Sequence, residues 1–319
     1  MGINVLSLFD GMSCGQIALE RVGIEIDNYY ASEIDKYAIQ VTQKNYPNTK
    51  QLGSIVDLNT NDLPSIDLLF GGSPCQSFSS IGNGKGFDGK SGLFWEYVRV
   101  LKETNTKYFL LENVVMKKEW EDIISEALGV KPIMINSNLV SAQNRKRLYW
   151  TNIPNIQQPE DKEMILSEIL EEKVEDKYYL SEKAIKYITD KTRLNKKLTS
   201  INGEKTTCLL SQYSQSLNGT FLCVDCNGRI DDTKTGTLPQ RYYKGTETQG
   251  SSPFIFDGKY RKLTPNECEK LQTIPLNYTD SVSDTQRYKM IGNGWTVDVI
   301  AHIFKQLPTL VSEARREIG

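Results

Sequence analysis

Cys75 stands in Gly71-Gly72-Ser73-Pro74-Cys75-Gln76-Ser77-Phe78-Ser79, directly after the run Ile66-Asp67-Leu68-Leu69-Phe70. The run reads as a buried strand, the glycines as its end, and Pro74 fixes the backbone beside the thiol. A thiol held rigidly there can be a nucleophile once a cation or helix N-terminus stabilises its thiolate. Alone, it reads as readily as a small buried apolar side chain. A second apolar run, Tyr108-Phe109-Leu110-Leu111, ends in Glu112-Asn113-Val114. If both strands are parallel, a carboxyl group able to hand over a proton stands at the same sheet edge as Cys75. In Gln143-Asn144-Arg145-Lys146-Arg147, alternation puts Gln143, Arg145 and Arg147 on one face of an extended segment. Two guanidiniums there suit a phosphate or an anionic intermediate; a solvated basic edge is the other reading.

Such groups need a framework. Ile3 to Phe9 reads as a first strand, Asp10 to Gly15 as a glycine turn, and Gln16 to Val22 as a helix stopped by Gly23. Strand, glycine turn and helix open a doubly wound α/β sheet, although the turn lacks the dinucleotide fingerprint. A second strand, Asn28 to Ser32, ends at Glu33, where an acid commonly takes ribose hydroxyls or is simply solvated. Helices are expected over 35–45, 93–103 and 119–128, with strands over 51–55 and from Ile133. Between Cys75 and Leu93 lie Gly82, Gly84, Gly86, Gly89 and Gly92 with Lys85 and Lys90, a lid or an ordinary surface loop. Ile156 to Asp176 reads as an acidic, helical connection. Thr264, Pro265 and Glu267 mark a capped helix start, and a last helix is expected from Trp295.

The 319 residues hold one large domain or two ordinary ones, and 39% hydrophobic residues suffice for a packed core. No apolar run reaches the roughly 18 residues of a membrane span, and the N-terminus lacks the basic start of a signal peptide. Six scattered cysteines make no disulfide framework, so an intracellular setting is expected. Cys223-Val224-Asp225-Cys226 has no second ligand pair, so no metal site is expected. Net charge is −2, yet the segment from Tyr178 to Lys262 carries 14 Lys/Arg against 8 Asp/Glu. Tyr213, Phe221, Tyr242, Tyr243, Phe254 and Phe256 interleave with these basic residues. That composition suits loop-rich β structure able to approach nucleic-acid phosphates, unless the charge asymmetry is chance.

The ordered series Phe9-Asp10-Gly11-x-x-x-Gly15, Pro74-Cys75-Gln76, Glu112-Asn113-Val114, Gln143-x-Arg145-x-Arg147 and Gly292-Asn293 resembles the cytosine-C5 DNA methyltransferases. The resemblance implies a Rossmann-like methyltransferase sheet with a smaller, loop-rich inserted domain. It assigns residues 1–156 to the catalytic domain, 157–276 to target recognition and 277–319 to a segment returning to the catalytic domain. It implies catalysis by Cys75, Glu112, Arg147 and Arg145, the last nearer a DNA phosphate. It also implies S-adenosylmethionine held by Phe9, Asp10, Gly11, Met12, Cys14, Gly15, Glu33, Ile34, Ile55, Gly72, Pro74, Leu93, Asn293, Gly294 and Trp295. Its partners would be double-stranded DNA and a cognate restriction endonuclease, with the chain a monomer and no membrane involved. Two positions depart from the family pattern: Ser54 replaces an acid expected to meet the adenine, and Gly294-Trp295 replaces smaller side chains. A tRNA cytosine-C5 methyltransferase and an inactive DNA-binding relative remain open as alternatives.

Overall fold

The computed structural model describes residues 2–74, 92–224 and 259–307. Cys75, the glycine-rich stretch through residue 91, Cys226, Tyr242, Tyr243, Phe254 and Phe256 lie outside the described residues. A seven-stranded sheet runs in the order β3-β2-β1-β4-β5-β7-β6. Its strands are β1 (Ile3–Leu8), β2 (Ile26–Ser32), β3 (Lys50–Gln51), β4 (Leu68–Gly71), β5 (Tyr108–Val114), β6 (Ile133–Asn136) and β7 (Lys146–Thr151). The first five are parallel, and β7 runs antiparallel to both of its neighbours.

Two cores follow from the period of two in the central strands. Leu68, Phe70 and Leu110 face one layer with α1 (Cys14–Arg21) and α9 (Val297–Phe304). Leu69, Phe109 and Leu111 face the other, with α3 (Leu93–Thr104) and α4 (Lys118–Leu128). Burial on both faces explains why β4 reads as an uninterrupted apolar run rather than an alternating one. Helix α2 (Lys36–Asn45) starts where Asp35 accepts from the Tyr37 amide (3.0 Å).

A second sheet, β10-β9-β8, comprises β8 (Thr199–Ile201), β9 (Gly219–Val224) and β10 (Lys259–Arg261). Two short helices precede it, α5 (Glu182–Ile188) and α6 (Lys191–Asn195). Gly219, at φ 123°, leaves no room for a side chain, because a Cβ there would stand 2.9 Å from the Tyr213 ring. The expected capping box holds at α7 (Pro265–Leu271): Thr264 Oγ1 accepts from the Glu267 amide and Glu267 accepts from the Thr264 amide. Glu267 also binds Arg261 through two 2.7 Å bonds, with both side chains almost wholly buried. Helix α8 (Asp284–Asn293) and α9 close the chain onto the first layer.

Two expectations are corrected. Residues 156–176 make only one-turn 3-10 helices at Leu166–Ile169 and Asp176–Tyr178, because Leu166 and Ile169 sink individually into the core. The strand over 51–55 stops at Gln51; Ser54 instead caps a 3-10 turn over Ile55–Asp57. Tyr213 and Phe221 stack on each other (6.1 Å) inside the core. Aromatic rings beside basic residues look alike in sequence whether they face a ligand or a core.

Candidate active site

Strand β4 ends at Gly71, and the chain continues through Gly72, Ser73 and Pro74 toward position 75. β5 lies beside β4 in parallel register, so Glu112 and Asn113 emerge at the same edge. Asn113 Nδ2 donates to the carbonyl (3.3 Å) and the hydroxyl (3.1 Å) of Ser73. The turn entering Cys75 is thereby tied to the strand that carries Glu112.

β7 pairs antiparallel with β5, and Arg147 stands opposite Val114. Its Nε lies 2.8 Å from Oε1 of Glu112, with both side chains largely buried. Arg147 Nη1 donates to the Lys146 carbonyl (2.9 Å) and Nη2 meets Cys208 Sγ (3.8 Å). Glu112 Oε2 accepts from the Trp295 indole (3.1 Å).

Arg145 departs from its expected place. Its Nη1 reaches the carbonyls of Leu209 (3.2 Å) and Gly292 (3.2 Å), and its Nη2 reaches that of Gly294 (2.9 Å). At 4% exposure it clamps two loops together and presents no free guanidinium to a phosphate. Gln143 is equally internal: Oε1 accepts from the Leu209 amide (3.0 Å) and Nε2 donates to the Leu271 carbonyl (3.3 Å). Residues 143 and 145 precede β7, and the side chains of Gln143, Arg145 and Arg147 all converge on Cys208 and Leu209. Cys208, beside both arginines, was missed by sequence reading, since only the fold brings it there. Burial pushes its thiol up, but the two guanidiniums outweigh that and hold it below its ordinary value.

The second half of the site is the turn after β1. Phe9, Gly11 and Ser13 take φ of 57°, 61° and 62°, so the chain reverses within five residues. Glu33 holds this turn: Oε2 accepts from the Gly11 amide (2.7 Å), and Oε1 from the amides of Ile34 (2.7 Å) and Asp35 (2.8 Å). Asp10 accepts from Tyr29 (2.7 Å) and from Ser13. Burial pushes its carboxyl up to about 6, against these hydrogen bonds. Met12 and Cys14 lie in the core beneath the turn, and burial pushes the Cys14 thiol up to about 12. Gly15 is required by close packing, because a Cβ there would stand 2.3 Å from the Phe70 ring.

Whether these groups suit S-adenosylmethionine can be judged from what is open. A Cβ at Gly11 would meet nothing within 4 Å, so the turn offers bare backbone. Ile34 is 76% exposed, an apolar surface at the end of β2. Ile55, by contrast, is buried in the second core, its carbonyl bound by Arg99 (2.9 Å); the neighbouring Val56 is the exposed one. Ser32 Oγ donates to the Gly53 carbonyl (2.8 Å), fixing this turn beside Glu33. Ser54 spends its hydroxyl on the Val56 amide (3.3 Å). Asn293 is exposed at the end of α8, Gly72, Pro74 and Leu93 are half-buried, and Arg145 anchors Gly294. An acid, open glycine backbone and exposed aliphatic side chains at one sheet edge fit a nucleoside carrying a sulfonium group.

Among the described residues no cluster of His, Cys, Asp and Glu could hold a metal ion, and no helix is long and apolar enough to cross a membrane.

Comparison with known proteins gives a consistent picture. The model of the family described as C-5 cytosine-specific DNA methylase matches residues 3–309. Type II methyltransferase M1.ScrFI of Lactococcus lactis subsp. cremoris is 30% identical, over 98% of this chain and 80% of its own. Type II methyltransferase M.NlaX of Neisseria lactamica is 29% identical, over 97% of each. Among solved structures, Entamoeba histolytica methyltransferase EhMeth shares the fold, with a TM-score of 0.75 at 20% identity, covering 97% of this chain and 99% of its own.

Proposed function

Because the chain belongs to the C-5 cytosine-specific DNA methylase family and is a methyltransferase, we propose that it methylates C5 of a cytosine turned out of a specific duplex DNA sequence, through a covalent Cys75–C6 bond. The observation that carries this reading is the Glu112–Arg147 pair at 2.8 Å, on the strand that Asn113 ties to the turn before Cys75.

Cytosine C5 is a weak nucleophile while the ring is aromatic. The Cys75 thiolate adds to C6, and the displaced electron pair moves toward N3. Glu112 binds or protonates N3 and so accepts that charge. Arg147 holds Glu112 in place and presents its remaining donors to the base carbonyl. S-adenosylmethionine, when bound, supplies the electrophilic methyl group. Loss of the C5 proton to water, with expulsion of the thiolate, restores the ring and frees Cys75. C6 is inaccessible within a duplex, so the base must leave the stack at a cost of roughly a few kcal/mol.

Glu33, the open backbone at Gly11 and the exposed Ile34 and Val56 are the cofactor contacts this reading favours. The division into residues 1–156 and 277–319 for chemistry and 157–276 for recognition is part of the proposal. Exposed Lys183, Lys186, Lys191, Lys196 and Lys197 on and beside α5 and α6 supply its phosphate contacts. The relatives' Type II names favour a cognate restriction endonuclease as cellular partner.

The test is transfer of a tritiated methyl group from S-adenosylmethionine to duplex DNA and to tRNA, with wild type and Cys75→Ser. Label in DNA with wild type alone is expected, with a covalent complex on DNA containing 5-fluorocytosine. Label only in tRNA would move the substrate to RNA. No label in either, with DNA binding intact, would make the chain a binding protein.

A further inference from the structure

We propose that Trp295 is a positioning residue for Glu112, its indole N–H fixing the carboxylate oxygen that Arg147 leaves free; this rests on the role given to Glu112 above. Glu112 has two oxygens, and each has its own donor. Arg147 Nε takes Oε1 at 2.8 Å, and Trp295 Nε1 takes Oε2 at 3.1 Å. With one donor a carboxylate can still pivot about its last torsion. With two donors from different directions it cannot turn without breaking a bond in a largely buried site.

The indole is itself held from three sides. Its ring packs against Phe70 of β4 (5.8 Å between centroids), which packs in turn on Phe304 (5.4 Å). The backbone just before it is fastened at the Gly294 carbonyl by Arg145 (2.9 Å) and Gln272 (3.2 Å). Gly72 borders the contact: a Cβ there would stand 3.0 Å from Glu112 Oε2 and 3.1 Å from Trp295 Nε1. A side chain at position 72 would therefore press on this hydrogen bond, and glycine leaves it room.

The donor's chemistry matters. Indole N–H donates only, carries no charge and does not titrate in water, so it orients Glu112 without competing for its proton. Trp295 was singled out in the sequence as a departure from the smaller side chains of the family pattern. Its hydrogen bond gives that departure a function, linking the last glycine turn of the chain to the acid of the central strand.

A double-mutant cycle tests this. Trp295→Phe keeps an aromatic ring against Phe70 but removes the donor. Measured at saturating cofactor, so that any change in its affinity drops out, single-turnover methyl transfer should fall roughly 10-fold, as for loss of one strong hydrogen bond. In a Glu112→Gln background the same substitution should have little further effect. If the two losses multiply instead, Trp295 does not act through Glu112 and the inference is overturned. If Glu112→Gln alone leaves the rate unchanged, the role of Glu112 fails first, which is a separate result. Gly72→Ala probes the contact independently should Trp295→Phe fold poorly. It should slow transfer, and a wild-type rate would count against the inference.

Discussion

Asn113 on β5 donates from one side-chain amide to both the carbonyl and the hydroxyl of Ser73, two positions before Cys75. The strand that carries the acid thus also fastens the segment that leads to position 75. Near-attack geometry depends on such ties, since small displacements of reacting groups cost rate steeply.

Asn113→Ala should therefore lower kcat by roughly 10-fold or more while KM for the cofactor stays near wild type. Rapid-quench kinetics would read this. An unchanged kcat would mean the turn keeps its place without Asn113.

Arg147→Lys keeps the charge but loses the planar fork that reaches Glu112, Lys146 and Cys208 together. Methyl transfer should fall roughly 100-fold, within the range for a disturbed acid–base group. Circular dichroism should show the fold retained.

Arg145→Ala should behave differently. Its guanidinium binds three backbone carbonyls, so its loss should cost about 3 kcal/mol of stability. The salt dependence of DNA binding should keep its slope, because no phosphate contact is removed. Lys196→Ala should instead flatten that slope by about one unit. A flatter slope for Arg145→Ala would show that Arg145 meets phosphate after all.

Asp10 gives a pH dependence of definite sign. Its folded carboxyl lies at about 6 against 3.8 for the free group, so the folded state binds the proton more tightly. Its contribution to stability is thus most favourable at low pH and falls as pH rises from about 4 through 6. The ionised form costs about 3 kcal/mol at neutral pH by the standard conversion. Asp10→Asn removes this titration, and differences common to other groups cancel. The melting temperature of the variant relative to wild type should be more favourable at pH 7.5 than at pH 4.5.

Breaking the buried Arg261–Glu267 pair from one side should be severe. Arg261→Met leaves the buried Glu267 carboxyl without its cation, and about 3–5 kcal/mol of stability should be lost. Chemical denaturation would measure it.

Local patterns in the sequence determined much of this protein. The apolar runs before Gly71 and Glu112 specify two buried strands, and Thr264 with Glu267 specifies a helix start, because period and capping are chemistry among near neighbours. The ordered motifs likewise point to the family from residue identity alone. Tertiary structure decided what the shared types could not distinguish. Whether Arg145 meets phosphate or protein depends on carbonyls at 209, 292 and 294, far along the chain. Whether Ile55 or Val56 faces outward depends on the phase of one short turn set by Ser54. The bond from Trp295 to Glu112 joins residues 183 positions apart, a proximity no local pattern encodes. Side-chain chemistry can be read in sequence, but the partner each group finds is settled by the packing of distant segments.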